Sequence, residues 1–317
     1  MNRFRQRLAR LAIVVVIVSF FSFILLDAAP GDRAVQKAGL NATPEVVDEI
    51  REELGLNGNL VARYGRWVGD AAQGDLGDSL VSGRSTSSLI RTALPKTLEL
   101  MVLAQIMALG VSVPAAIYAA RHQGGLVDRI TSAIAFGLLA LPAFVLGIYL
   151  SFLFAVKWDL LPAVATDIPG FNDDPIENLR QMFLPSVTLA TGLVAAYLRL
   201  LRSDLLDTLQ QDFVLLAEAR GFTERRIMWR YAFRPASLSL LTAIGLNTGG
   251  LIGGALIIEL LFAIPGMGRL AITAIFSEDY VVLQGVVLLF SVGFVAVNFI
   301  VDALYAVVDP RIRHGAR

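Results

Sequence analysis

Apolar residues in this chain gather in long blocks, without the short alternations that mark half-buried strands or one-sided surface helices. A helix that crosses a hydrocarbon layer about 30 Å thick needs about 20 mostly apolar residues. Five blocks after residue 95 approach or exceed that length, at 97–120, 130–156, 183–201, 236–263 and 281–308. A shorter block, 11–26, follows Arg3, Arg5, Arg7 and Arg10. A basic start before a short apolar stretch is also the form of a cleaved signal peptide. The next residues, Asp27-Ala28-Ala29-Pro30, make a poor small-x-small cleavage site, so an uncleaved first span is expected. The pattern predicts an all-α, polytopic membrane protein of about six transmembrane helices. Pro114 and Pro142 fall inside the second and third blocks, where they predict kinks.

Basic residues in short loops mark the cytoplasmic side. They occur in the N-terminus, in the 121–129 loop, in 202–235 (Arg220, Arg225, Arg226, Arg230 and Arg234) and in the tail (Arg311, Arg313 and Arg317). The segment 157–182 instead carries Asp159, Asp167, Asp173, Asp174 and Glu177 against Lys157 and Arg180. Six spans with both termini inside satisfy this alternation, and five would break it. The expected organisation is a cytoplasmic N-terminus and first span at 1–27, then an extracytoplasmic helical loop at 28–96. A five-helix core at 97–317 follows, with a cytoplasmic loop at about 203–235 and a cytoplasmic tail.

Composition narrows the chemistry. Hydrophobic residues make up 56% and charged residues 17%, below the quarter typical of soluble domains, so much of the surface faces something other than water. Formal net charge is zero and no basic stripe points to nucleic acid. The chain has no cysteine, which excludes disulfides and thiol chemistry, and its two histidines, His122 and His314, leave little room for a metal set or a Ser-His-Asp triad. No Gly-x-x-x-x-Gly-Lys-Ser/Thr phosphate loop is present, so the chain is no ATP-driven motor by itself.

Two connecting segments are too long to be simple links. In the first, Thr43-Pro44-Glu45 reads as a helix start, with a capping hydroxyl, proline in the first turn and an acid favoured by the helix dipole. That helix should stop near Gly55. A second should follow Asn59, with Leu60, Tyr64, Trp67, Val68 and Ala71 on one face. It fits a cap packed on the membrane core, a docking surface for an extracytoplasmic partner, or both. The second segment reads DFVLLAEARGFTERRIMWRYAFRP from Asp212 to Pro235. A short helix ending at Arg220 would be closed by Gly221 in the left-handed conformation. Thr223 would cap a second short helix from Glu224 to Arg234, ended by Pro235. Such a pair suits a surface gripped from the cytoplasm, or a solvated hairpin lying on anionic headgroups.

These residues resemble the cytoplasmic loop of binding-protein-dependent ABC importer permeases, which carries Glu-Ala-Ala-x-x-x-Gly. Ala217 and Gly221 fit that pattern, whereas Leu215 and Leu216 replace its glutamate and first alanine. The remainder is similar to the dipeptide, oligopeptide and nickel branch of the family. The similar residues are Arg63-Tyr64 with Trp67, Gly74-Asp75-Leu76-Gly77-Asp78-Ser79 and Leu184-Pro185. They continue with Glu259, Phe262, Pro265-Gly266 and Gly268, then Asp279-Tyr280, Gln284-Gly285, Asn298, Asp302, Tyr305 and Asp309-Pro310-Arg311-Ile312-Arg313. The long outer loop resembles the first of two paired permeases.

The resemblance implies a type I ABC importer transmembrane domain in a bacterial inner membrane. It implies a heterodimer with a second homologous permease, two ABC ATPase subunits that hold ATP and magnesium, and an extracytoplasmic solute-binding protein. The cargo would be di- or oligopeptides, with nickel or another small solute as the alternative; this chain itself would carry no cofactor or catalytic residue. The ATPase stroke would enter through Phe213, Ala217, Glu218, Ala219, Arg220, Gly221, Thr223, Glu224, Arg225 and Arg226, with Ala217 and Gly221 packing closely and the arginines pairing with ATPase acids. Candidates for the pathway or gate are Asn247, Gly250, Glu259, Asn298 and Asp302. Each also has a structural reading. Asn247-Thr248-Gly249-Gly250 with Gly253-Gly254 sets glycines four apart, as helix packing requires. Asn298 and Asp302 lie one turn apart, and Asp302 near the inner boundary suits a salt bridge or cap. Glu259 suits either an outer gate or a brace for the Pro265-Gly266 turn. An ion-driven secondary transporter would need buried ionisable relays and usually internal repeats, and the chain has no clear repeat. A membrane scaffold without transport is the remaining class.

Overall fold

The computed structural model describes residues 13–24, 33–39, 42–53, 55 and 57–308, with backbone alone at 33, 36, 53 and 302–308. In chain order the helices are α1 (Ile13–Ile24), α2 (Arg33–Ala38), α3 (Pro44–Glu53), α4 (Leu60–Ala72) and α5 (Thr86–Arg121). They continue with α6 (Leu126–Ala140), α7 (Ala143–Ser151, prolonged by a π-helical stretch Phe152–Lys157), α8 (Pro175–Leu209) and α9 (Asp212–Ala219). The last are α10 (Glu224–Leu261, π-helical at Ile227–Ala232), α11 (Met267–Phe276) and α12 (Tyr280–Val308). The chain divides into two compact units, one of Met1–Thr97 with Pro265–Ala296 and one of Leu98–Ile264 with Val297–Arg317.

Helices α5, α8, α10 and α12 are each long and apolar enough to cross a bilayer. The expected third span is instead a broken pair, with α6 and α7 bent by 101°. The expected kink at Pro142 is therefore a right-angle turn. Proline crowds the residue before it out of the helical region, and Leu141 has φ −97° and ψ 130°. Pro142 is extended as well, with ψ 134°, and two successive extended residues swing the chain round. At Pro114, by contrast, α5 runs on without a break in the helix. Of the expected first span, Ile13–Ile24 is helical and apolar, while 11, 12, 25 and 26 lie outside the described residues.

In the first unit, α4 lies on α1. Tyr64 sits edge-on to Phe20 and Phe23 at 5.0 and 5.6 Å, Trp67 is 5.9 Å from Phe23, and the Tyr64 hydroxyl meets Ser19 Oγ at 2.7 Å. Part of the apolar face expected on this helix is thus covered by the chain itself. Helix α3 starts at Pro44, and the Glu45 carboxyl is held below its usual range by its own backbone amide and then by the Thr43 hydroxyl. Gly55 follows with φ +61°, and the Asn59 side chain caps α4 by accepting from the Val61 amide at 3.0 Å.

The 74–85 loop folds on the start of α12. Gly77, at φ +80°, accepts from the Thr86 amide at 2.9 Å, and the Ser79 amide donates to Arg84 O at 2.9 Å. Ser79 Oγ donates to Asp279 Oδ2, and Asp279 Oδ1 accepts from the amides of Leu80 (3.3 Å) and Val282 (3.4 Å). One buried carboxylate therefore caps α12 and anchors the loop. A Cβ on Gly285 would lie 2.8 Å from Thr86 Cγ2, so α12 and the first turn of α5 meet where no side chain fits.

Helix α8 is the axis of the second unit. Its Met182, Leu184, Tyr197, Leu201 and Leu205 are almost wholly buried and pack with Leu100, Ile258 and Phe262. Lipid tails are as apolar as leucine, so hydrophobic burial gives helices in a bilayer little reason to associate. Close approach and polar contacts must hold them. Both occur here. A Cβ on Gly147 of α7 would meet Thr188 Cγ2 at 2.8 Å and Leu261 Cδ2 at 2.9 Å. Asp128, only 4% exposed, receives Arg202 of α8 in a forked pair, with Nε at 2.5 Å and Nη2 at 2.8 Å.

On α10, Gly245 is in close contact with α12. A Cβ there would lie 2.3 Å from Val301 Cγ2 and 2.8 Å from Val301 Cβ, so rotating the valine gives no escape. Gly250 and Gly253 face open space, and Gly254 would meet Leu189 at 3.1 Å. Gly245→Ala is expected to destabilise the protein by about 1–3 kcal/mol. Gly250→Ala should be neutral or stabilising by up to about 1 kcal/mol. Thermal unfolding of both variants in one lipid or detergent system checks this, and equal midpoints would refute the packing assignment.

Candidate functional site

The segment expected to face a cytoplasmic partner forms a knuckle: α9, a turn at Gly221, and the start of α10. Gly221 has φ +73° and closes α9 as expected. Its amide reaches Glu218 O at 2.8 Å and the Phe222 amide reaches Ala217 O at 3.2 Å, the paired bonds of a left-handed helix stop. A Cβ at Gly221 meets nothing within 4 Å. Within this chain, backbone conformation is thus what requires the glycine.

Ala217 is buried, and with Val214 and Ile227 it forms a small core backed by Phe222 and Tyr231, so it braces the knuckle from within. Two expectations are corrected. Thr223 occupies the cap position with extended backbone, but its side chain makes no capping bond; the helix start is held by the Ile227 amide on Thr223 O at 3.0 Å. The second helix does not end at Arg234. It continues through Pro235 into the 38-residue α10. Proline crowds the carbonyl one turn earlier and lacks an amide for it. Here that carbonyl belongs to Tyr231, inside the wider π-helical stretch.

The outer face of the knuckle is apolar and basic. Phe213, Leu215, Leu216 and Trp229 are about half exposed, and Glu218, Ala219, Arg220, Glu224, Arg225 and Arg226 are exposed. The Arg226 guanidinium lies 4.3 Å from the Phe222 ring centre. Arg220 and Arg225 have no carboxylate partner among the described residues. Glu224 pairs with Arg121 at the end of α5 at 2.7 Å. With Asp128–Arg202, this brings the end of α5, the start of α6, the end of α8 and the start of α10 to one end of their unit.

The interior candidates do not converge. Asn247 is half-buried and donates to Ala243 O of its own helix at 2.8 Å, while Gly250 is exposed. Glu259 is wholly buried, and its carbonyl accepts from the Ile264 amide at 2.9 Å, bracing the turn that ends α10. Ala263 stands in that turn with φ +57°, and Phe262 O accepts from the Ala165 amide at 2.7 Å. Asn298 is half-buried, and only the backbone of Asp302 is described. A polar chain that the motif reading missed crosses the unit: Tyr197 Oη donates to Gln105 Oε1 at 3.0 Å, and Gln105 Nε2 donates to Thr248 Oγ1 at 3.2 Å. Its signal was present as polar residues inside otherwise apolar blocks.

The model of the family "binding-protein-dependent transport system inner membrane component" matches residues 112–314, and its N-terminal companion model matches 1–101. The chain belongs to this family. As an inner membrane component of a binding-protein-dependent system, it is a multi-pass membrane protein with ATPase partners. A probable peptide ABC transporter permease protein of Sinorhizobium fredii is 35% identical over 98% of both chains. A putative peptide transport system permease protein of Brucella abortus is 36% identical over 98% of both. The glutathione transport system permease protein GsiC of Shigella flexneri is 33% identical over 99% of both. The inward-facing MetNI methionine ABC transporter resembles the fold, with a TM-score of 0.58 at 16% identity, covering 70% of this chain and 96% of that one.

In this inner membrane component the demand at Gly221 is conformational, so substitutions there should rank by tolerance of positive φ. Gly221→Val is expected to cost the knuckle about 1–2 kcal/mol, and Gly221→Asn less. Amide exchange at Phe222 reads this as roughly tenfold faster exchange in the valine variant, since about 1.4 kcal/mol is tenfold. Equal protection in all three proteins would refute it.

Proposed function

We propose that this chain is the transmembrane permease of an ATP-driven importer of di- or oligopeptides. It pairs with a second homologous permease, two ABC ATPases and an extracytoplasmic solute-binding protein, and it receives the ATPase stroke on the α9–Gly221–α10 knuckle. The observation that carries this reading is the continuity of α10. Glu224, Arg225 and Arg226 begin the same helix that runs 38 residues to Leu261. A partner that grips the knuckle therefore holds one end of a span, and a shift there becomes a rigid-body shift of the helix. The peptide class rests on the relatives named for peptide and glutathione transport.

The half-exposed Phe213, Leu215, Leu216 and Trp229 beside Arg220 and Arg225 form a patch suited to a groove that is apolar at its centre and acidic at its rim. Asn247, Gly250, Asn298 and Asp302 serve the pathway in this reading, with Glu259 at its outer gate. Residues 28–96 form an extracytoplasmic helical segment, and both termini are cytoplasmic.

Reversing two charges, Arg220→Glu with Arg225→Glu, is expected to lower peptide uptake at least tenfold and to strip ATPase subunits during purification, while membrane levels stay normal. Normal uptake in that variant would end the coupling role. For orientation, a reporter fused after Met182 should read extracytoplasmic and one fused after Gln211 cytoplasmic. Reversal of either would require a different count of spans.

A further inference from the structure

A half-enclosed cavity of about 580 Å³ opens within the first unit, among α4, the 74–85 loop and the start of α12. Its size is that of a small-molecule site. Side chains of both signs line it, and three of them, Arg66, Asp70 and Asp78, have no oppositely charged partner among the described residues. Arg66 reaches only the carbonyls of Gly55 (3.2 Å) and Asn57 (3.5 Å) and has no carboxylate partner among the described residues. Asp70 lies one turn further along α4, at the spacing where opposite charges usually pair, yet no such pair forms. Asp78, from the loop, likewise has no side-chain partner among the described residues. Lys37 and Arg63, which also line the cavity, are already engaged.

Gln284 is the second observation. It lines the cavity, is 4% exposed, and its Nε2 is buried with no acceptor. A buried donor left without a partner is unfavourable, and a ligand oxygen would relieve it. Trp67 supplies an aromatic wall beside these groups. A purely anionic ligand would satisfy Arg66 and Gln284 but be repelled by the three aspartates that line the cavity, Asp70, Asp78 and Asp75, the last of which already accepts from the Gly77 amide at 2.9 Å. A purely cationic one would meet the opposite conflict. A molecule that carries both charges satisfies every unpartnered group at once.

We propose that this cavity binds a small zwitterion of amino-acid to dipeptide size. Its free carboxylate lies toward Arg66 and Gln284 Nε2, and its free ammonium lies toward Asp70 and Asp78. This assignment does not depend on the coupling role of the knuckle or on peptides being the cargo.

The test uses the full chain in lipid nanodiscs without a binding protein, with labelled dialanine in equilibrium dialysis. Saturable binding is expected, weakened about tenfold or more by acetylating the amine or amidating the carboxylate, as loss of one charge-assisted contact implies. Arg66→Gln and Asp78→Asn, both at exposed positions, should each weaken dialanine by a similar factor. Arg66→Gln should leave the affinity for the C-terminal amide unchanged, because that ligand has already lost the contact, whereas Asp78→Asn should weaken the amide further. Absence of saturable binding up to about 10 mM, a limit near the weakest useful affinities, would overturn the proposal. Equal binding of a doubly blocked dipeptide, or wild-type affinity in both variants, would overturn it too.

Discussion

A helix leaves its last carbonyls without intrahelical donors, and hydrocarbon offers no water to replace them. How this chain ends its helices therefore governs the rest of the fold. Three ends use the same solution: a residue at positive φ, followed by an amide that reaches back five residues. Gly221, Ala263 and Glu278 stand at +73°, +57° and +57°. The returning amides are Phe222 to Ala217 O at 3.2 Å, Ile264 to Glu259 O at 2.9 Å and Asp279 to Ala274 O at 2.8 Å. Two of the three positions hold a side chain that disfavours this conformation by about 1–2 kcal/mol. Each stop sets the course of the segment after it: the outer face of the knuckle, the turn into Pro265, and the carboxylate of Asp279 that caps α12 and receives the 74–85 loop.

The two ion pairs at the shared end of the second unit are not equal. Arg121–Glu224 leaves the glutamate 86% exposed, so solvent screens it and its contribution is about 0–1 kcal/mol. The Asp128 side chain is 6% exposed against 25% for that of Arg202, with two parallel bonds that fix orientation. Losing one partner there would strand a buried charge, which is far costlier than the pair's net worth. Asp128–Arg202 is therefore the contact that registers α6 against α8, and Arg121–Glu224 conforms to that geometry.

Hydrophobic blocks announced the long helices, and Gly221 announced the stop of α9, because both signals are local. Ala263 and Glu278 gave no warning, since neither residue type advertises a left-handed turn. Pro235 misled for a related reason. A proline ends a helix only where the turn before it is of ordinary width, and the π-helical stretch at Ile227–Ala232 changes that width. The Pro142 site showed a disturbance but not its size, which comes from Leu141 and Pro142 both being extended. Ala217 reads as a contact for a partner because small residues suit close packing, and close packing inside the knuckle satisfies the same logic. Asp128 with Arg202 and Ser79 with Asp279 join residues 74 and 200 positions apart, which no local pattern reveals.

The π-helical stretch also sets the phase of α10. Each turn of that kind holds one more residue than an ordinary turn, and one residue of an α-helix subtends about 100°. The azimuth of Trp229 and the arginines before it is therefore offset from that of Gly245 and Thr248 beyond it. Losing a single residue between Ile227 and Ala232 would leave composition and length almost unchanged, yet it would turn the gripped end by roughly a quarter of a revolution against the span it drives.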